Sequence, residues 1–322
     1  MSEQPSGWRM SIAACALVVC GLCLSSAASA AAGDAVPAGE TDAANNNSVA
    51  ASGFYDRFIK DRVYIKPGIS YLDFGRLESG DLELSNVTFP ARLAVGNGPI
   101  EGAKAGIDNQ YAPTIGLGYY LPGSERHLSV QTIIGQPLDL DVISQPGRLR
   151  DESLGPQVQL GESSEGLFPT GIPALGRGLG SVKALPIMLT LLYHPFPEST
   201  FRPYIGGGAT YLYVYDEEIS NDVLTQAGGP GFDVSSTPGY VLQAGIDIGD
   251  SSSGWFGFAD VRYVGAAQVT GKLSDIRMRV RNPALAGALT ALGYDEDIDV
   301  GDAKVDIDIN PLIYTLGVGY RF

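Results

Sequence analysis

The chain has 322 residues, 44% of them hydrophobic and only 18% charged, with 42 glycines and 20 prolines. That is too much glycine and too little charge for a helical bundle or coiled coil, and too many apolar residues for a fully disordered chain. The 21 Lys and Arg against 36 Asp and Glu leave a net charge of −15, a field that repels phosphate backbones, so no nucleic acid partner is expected.

Residues 1–30 read as a secretory signal peptide. Arg9 precedes an apolar run from Ile12 to Leu24, and Ala28-Ser29-Ala30 supplies the small-x-small cleavage pattern near Ala30. The run falls short of the ~20 apolar residues that a spanning helix needs. Cys15, Cys20 and Cys23 all lie inside it, so the mature chain has neither a disulfide framework nor a Cys metal site. Ile12-Ala13-Ala14-Cys15 superficially fits a lipoprotein processing box, but it stands ahead of the apolar run rather than after it. Residues 31–60 read as a flexible periplasmic leader, because Ala31 to Ser52 holds almost no bulky side chain to offset its ordering entropy.

From residue 61 to 322 the pattern has a period of two, in eight segments bounded by turn residues. In the first, Ile65, Pro67, Ile69 and Tyr71 face out and Lys66, Gly68 and Ser70 in. In the second, Ile115, Leu117, Tyr119 and Leu121 oppose Thr114, Gly116, Gly118 and Tyr120. The third sets Leu128, Val130, Thr132 and Ile134 against Ser129, Gln131, Ile133 and Gly135. The fourth puts Leu185, Ile187, Leu189, Leu191 and Tyr193 outside, with Met188, Thr190, Leu192 and His194 inside. In the fifth, Ile205, Ala209, Tyr211, Tyr213 and Tyr215 oppose Arg202, Tyr204, Gly206, Gly208 and Thr210. The sixth has Tyr240, Leu242, Ala244, Ile246 and Ile248 against Gln243, Gly245 and Asp247. The seventh has Trp255, Ala259, Val261 and Tyr263 against Phe258, Asp260 and Arg262.

The eighth, Leu312 to Phe322, is the clearest. Its even positions are Leu, Tyr, Leu, Val, Tyr and Phe, its odd positions Ile, Thr, Gly, Gly and Arg321, and its length suits a tilted membrane strand of ~9–11 residues. Short connections (122–125, 195–200, 250–254) alternate with long ones (75–110, 137–182, 217–237, 271–303). The expected fold is all-β: an eight-stranded antiparallel transmembrane β-barrel with short periplasmic turns and long extracellular loops, placed in the outer membrane of a Gram-negative cell. A soluble periplasmic barrel is the alternative, since alternation in any single strand is a weak signal.

Several motifs in order give a resemblance. They are Leu185-Pro186, Phe201-Arg202-Pro203-Tyr204-Ile205-Gly206-Gly207-Gly208 and Gln243-Ala244-Gly245-Ile246-Asp247, then Trp255 to Tyr263, and Val305 to Pro311 leading into Gly317-Val318-Gly319-Tyr320-Arg321-Phe322. With these the chain resembles the OmpW family of bacterial outer-membrane proteins. The resemblance implies an eight-stranded barrel with a hydrophobic interior channel for small hydrophobic molecules, and Phe322 as the terminal signal read by the outer-membrane assembly machinery. The connection from Pro137 to Val182 looks longer than the family's usual one, and its role is not carried over.

Eight strands enclose room for side chains or one small ligand, not a water-filled pore. The inward charges Lys66, Arg202, Asp247, Asp260, Arg262 and Arg321 lie toward the short-turn end, and as buried charges they are expected to pair into a polar plug. Continuing the last strand's register upward puts Val305, Ile307 and Ile309 inward and Lys304, Asp306 and Asp308 toward water. With Ile133, Leu212 and Val214 these form an expected apolar vestibule above the plug, open to the reading that it is ordinary side-chain packing.

No catalytic residue, metal or cofactor is assigned. The only histidines, His127 and His194, lie beside the short turns, away from the outer leaflet where lipid A chemistry takes place, and no G-x-S-x-G motif occurs. Asp295 to Asp302 echoes a calcium loop, but Gly301 is one place late and Asp306 stands where Glu is needed. Arg277, Arg279 and Arg281 offer charge-assisted contacts to lipopolysaccharide phosphates. Two functions follow for a monomer among outer-membrane lipids: a channel for small hydrophobic solutes, or a structural barrel whose long loops bind lipopolysaccharide, host or phage ligands.

Overall fold

The computed structural model describes residues 59–322 apart from 76, 161–165, 251–252 and 266. The expected signal peptide with its three cysteines and the expected leader up to residue 58 lie outside the described residues. Eight strands make the barrel: β1 (Val63–Asp73), β2 (Gln110–Tyr120), β3 (Leu128–Gly135), β4 (Gly178–Tyr193), β5 (Phe201–Ile219), β6 (Thr237–Ile248), β7 (Trp255–Gly265) and β8 (Leu312–Arg321). Each pairs antiparallel with the next, and β8 pairs with β1, from Tyr64 opposite Arg321 to Asp73 opposite Leu312, so the sheet closes and has no edge there. Among the described residues no helix is long and apolar enough to cross a membrane; the crossing is made by strands, whose backbone groups bond to one another around the ring.

Period-two alternation runs through the membrane-level part of every barrel strand and breaks only higher up, at the register shift between Ser181 and Lys183 where β4 pairs with β5. Ile69, Leu189, Ile205 and Leu316 face out and are each more than half exposed, while their neighbours Ser70, Thr190, Tyr204 and Thr315 are buried. An apolar belt this continuous is stable against lipid, not water. Aromatic rings border it at both ends, with Tyr71 4.9 Å from Tyr111 and 6.4 Å from Tyr314 at one rim and Trp255 4.9 Å from Tyr320 at the other.

The narrow interior is filled by aromatic rings set against glycines. Tyr64 lies opposite Gly118 in the β1–β2 register, and Phe256 lies opposite Gly319 between β7 and β8. A Cβ at Gly118 would fall 1.9 Å from Tyr64 Cζ, and one at Gly319 2.3 Å from Phe256 Cζ. Only glycine leaves room for the ring of the facing strand.

The long connections carry secondary structure of their own, which the sequence reading did not anticipate. Ala267–Arg279 and Asp297–Ile309 carry the line of β7 and β8 onward as an antiparallel hairpin. Its tip is a helix, Pro283–Ala291, started by Asn282, whose side chain accepts from the amides of Ala284 and Leu285. Short strands at Glu78–Ser79, Leu82–Ser85, Gly98–Ile100 and Gly231–Val234 complete this sheet. The connection 137–182 contributes Leu138–Ser144, which pairs with the upper part of β4 and with Ala105–Ile107. The apolar faces of these upper strands share one core with the upper barrel, including Leu84, Leu140, Met278 and Ile307.

One stretch of wall is unpaired. The β2–β3 ladder ends at Thr114 opposite Gly135, and the next bond above joins Asp108 N to Asp141 O at 3.2 Å. Among the described residues no ladder pair joins 109–113 to 136–140. Pro113 and Pro137, one on each side, have no amide N–H to give.

Candidate functional site

The interior has two parts. Toward the short-turn end it is polar and bonded. Lys66 Nζ donates to Asp247 Oδ1 at 2.8 Å, and the ring faces of Tyr64, Tyr204, Phe256 and Phe258 lie 4.2 to 5.6 Å from the same ammonium. Arg262 Nη2 donates to Asp260 Oδ2 at 2.7 Å and its Nη1 to Thr315 Oγ1 at 2.9 Å, while Tyr204 Oη donates to the same Asp260 oxygen at 3.2 Å. Ser70 links Thr114 and Thr315 by hydroxyl contacts of 2.9 and 2.8 Å. Tyr64 Oη donates to Gln131 at 3.2 Å, and Thr190 to Gln243 at 3.2 Å.

Two of the six expected pairing charges behave differently. Arg202 bonds the carbonyl oxygens of Ser199 at 3.0 Å and Gly249 at 2.9 Å instead of a carboxylate, tying the short turns on either side of β5 and β6. Arg321 sits at the mouth, 3.8 Å from the exposed carboxylate of Asp61. The histidines serve the same end: His127 Nδ1 meets the carbonyl of His194 at 2.8 Å, and His194 Nε2 meets Ser129 Oγ at 2.9 Å.

Toward the long-connection end the interior is apolar. A cavity of about 90 Å³ lies between the two upper sheets, and every residue lining it is apolar or glycine. Leu212, Val214, Val305, Ile307 and Ile309 line it. Ile133 does not. It pairs with Met188 lower in the barrel and lines a smaller cavity of about 30 Å³, because the chain leaves β3 at Gln136-Pro137 before reaching the upper level. A cavity of about 40 Å³ lies between, sharing Leu140, Leu212 and Ile309 with the one above and Leu72, Met188 and Ile313 with the one below. Sequence reasoning missed the contributions of Leu82, Leu84, Leu140, Val142, Leu273 and Met278 to the upper cavity, since they lie in segments read as loops.

The acidic run is bonded within the protein. Asp297 forms a two-pronged pair with Arg279, both contacts at 2.7 Å, Asp299 accepts from Gly301 N, and Asp302 accepts from Asn86 and from Asp275 N. The Arg279 hydrogen bond holds the Asp297 carboxyl below the usual carboxylate range. Arg281 bonds Gln226 at 2.8 Å, so two of the three arginines offered to lipopolysaccharide have partners within the protein.

Residues 169–322 match the OmpW family. Over 146 residues the chain is 29% identical to outer membrane protein W of Vibrio cholerae, a match covering 45% of this chain and 55% of that protein. It is 28% identical over 156 residues to an uncharacterized outer-membrane protein of Sinorhizobium fredii, covering 46% and 61%. The chain thus spans somewhat over half the length of the curated relatives it matches. The crystal structure of the outer membrane protein OprG from Pseudomonas aeruginosa superposes with a TM-score of 0.56 at 19% identity, covering 82% of this chain and 97% of that one, a likeness of fold. A closed eight-stranded barrel, a lipid-facing belt between two aromatic rims and these matches have one common conclusion: the chain is an outer-membrane β-barrel protein whose residues 169–322 resemble the OmpW family.

Proposed function

We propose that the barrel admits small hydrophobic molecules from outside the cell through the apolar vestibule and passes them sideways into the bilayer. The observation that carries this reading is the cavity of about 90 Å³ with no polar or charged residue in its lining. Apolar cavities of ~150 Å³ stay dry and accept a benzene-sized molecule, so this smaller space suits a short chain as it stands and a single ring once the flexible lining side chains shift. Such a solute gains by leaving water, whereas an ion entering would lose its hydration with nothing to replace it.

The way down is closed by bonded charge. Lys66–Asp247 and Arg262–Asp260 fill the centre of the barrel, and burying a greasy molecule among them would break two buried ion pairs. The lateral gap beside Pro113 offers another exit, because the cavity of about 30 Å³ is lined both by interior residues and by Pro113 and Gln136 at the gap. On this reading the protein performs no chemistry. His127 Nδ1 is held by the backbone carbonyl of His194 and His194 Nε2 by Ser129 Oγ, contacts that suit turn fasteners better than a base.

Phe322 serves as the assembly signal, and lipid and lipopolysaccharide surround a monomer. The alternative, a surface-interaction barrel, rests on the crown alone, the hairpin 267–309 with its tip helix and the short strands beside it, and the arginines at 279 and 281 there already have partners. Uptake of a panel of hydrophobic compounds by a deletion strain, with and without complementation by this gene, tests the proposal. Complementation should restore uptake of small apolar compounds and leave sugars and ions unchanged; no difference for any apolar compound would contradict it.

A further inference from the structure

The lowest cavity on the apolar path is not purely apolar. Its walls include Ile133, Met188 and Ile313, its open side Pro113 and Gln136, and Arg262 also lines it. Arg262 has five N–H donors in a rigid fork. It gives Nη1 to Thr315 and Nη2 to Asp260, while Nε has no hydrogen-bond partner although the side chain is 4% exposed. A buried donor without an acceptor is costly, and whatever supplies one gains the difference.

We infer that this cavity is a selectivity site, at which Arg262 recognises solutes whose apolar body ends in an uncharged hydrogen-bond acceptor such as a carbonyl or ester oxygen. The inference rests on the channel reading and narrows its substrate class. The head is uncharged because the cations here are already balanced: Asp260 lies 2.7 Å from Arg262 and Asp247 lies 2.8 Å from Lys66. A carboxylate would stand beside Asp260 with no counter-charge left, in surroundings of low dielectric. A neutral carbonyl takes the spare N–H without adding charge. Met188, long and unbranched, is the wall residue able to move aside for the ring.

The test compares three single-ring probes on the folded protein in lipid nanodiscs, by equilibrium dialysis with empty nanodiscs subtracting lipid partition: toluene, acetophenone and benzoate. Acetophenone should bind about tenfold more tightly than toluene, the worth of one hydrogen bond to a charged donor, and benzoate most weakly. Arg262→Met should erase the advantage of acetophenone and leave toluene binding in place. Met188→Phe, which keeps Arg262 and narrows the cavity, should weaken both neutral probes. Equal binding of toluene and acetophenone to the parent protein would overturn the inference and leave the channel reading standing, even if Arg262→Met does not fold. Benzoate as the tightest probe would overturn the uncharged head, unaltered binding in Met188→Phe would place the site elsewhere, and no binding of any probe would count against the channel itself.

Discussion

Lys66 on β1 and Asp247 on β6 meet across the barrel at 2.8 Å, with each side chain 2% exposed. They come from strands that are not neighbours, so the pair braces the barrel across its interior as no ladder bond can. Lys66→Met leaves Asp247 charged and buried without its cation, and breaking such a pair costs about 3–5 kcal/mol. Urea unfolding in vesicles should show this loss, and adding Asp247→Leu should recover part of it because the orphaned charge is gone. Unchanged unfolding in Lys66→Met would mean that water reaches these groups.

Gly118→Ala tests the ring-in-glycine packing. The added methyl meets the ring of Tyr64, and overpacking of this kind costs about 1–3 kcal/mol. Combining it with Tyr64→Leu should relieve much of the crowding, which a double-mutant cycle on unfolding free energy measures. Additive effects would contradict the contact.

The Arg279–Asp297 pair gives the crown a dependence on acid. Because the folded carboxyl titrates below its unfolded value, its contribution is present above the ordinary aspartate pKa of about 3.9 and fades as pH falls through the folded value. Backbone hydrogen exchange at 279–281 and 296–298 should therefore quicken, relative to the rest of the crown, as pH drops below about 4. Arg279→Gln should raise exchange at neutral pH and remove that acid step. Identical profiles for the two proteins would show the pair to be inconsequential.

Removal of Phe322 should lower the fraction of heat-modifiable barrel in the outer membrane while export across the inner membrane continues. Beyond the assembly role proposed from the OmpW resemblance, Phe322 N donates to Val63 O at 3.0 Å and its ring packs edge-on to Tyr320 at 5.1 Å, so its loss also loosens barrel closure. A full yield of folded barrel would contradict both.

The lower barrel was legible in the sequence because one rule governs it. Every strand there alternates without interruption, so a residue's parity alone sends Lys66, Asp247, Asp260 and Arg262 inward. The crown broke the rule. Between Ala267 and Arg279 the inward set is Val269, Gly271 and Leu273, then Ile276 and Met278. The parity flips at a bulge near Asp275, whose φ is 56°, and the ladder shifts register there. A strict alternation therefore fades at Leu273, and the segment passes for a loop. Ile133 was misplaced for a related reason: its parity is inward, but height along the barrel depends on where the chain breaks, at Gln136-Pro137, which parity does not carry.

Placing a charge in the vestibule addresses the channel most directly. Ile307 is buried and lines the cavity, and its neighbour Asp308 already carries a charge on the opposite face. Asp308→Asn is the matched control; Asp306→Asn is not, because Asp306 accepts from Thr270 at 2.6 Å and from Lys304 at 2.8 Å. Uptake of a small hydrophobic tracer should be measured in cells bearing equal surface amounts of folded parent, Ile307→Asp and Asp308→Asn barrels. The account predicts that Ile307→Asp falls well below the parent, since a hydrated carboxylate in the vestibule opposes a greasy solute, while Asp308→Asn matches it. Equal uptake through the Ile307→Asp barrel would contradict transport through the vestibule and turn attention to the crown as a binding surface.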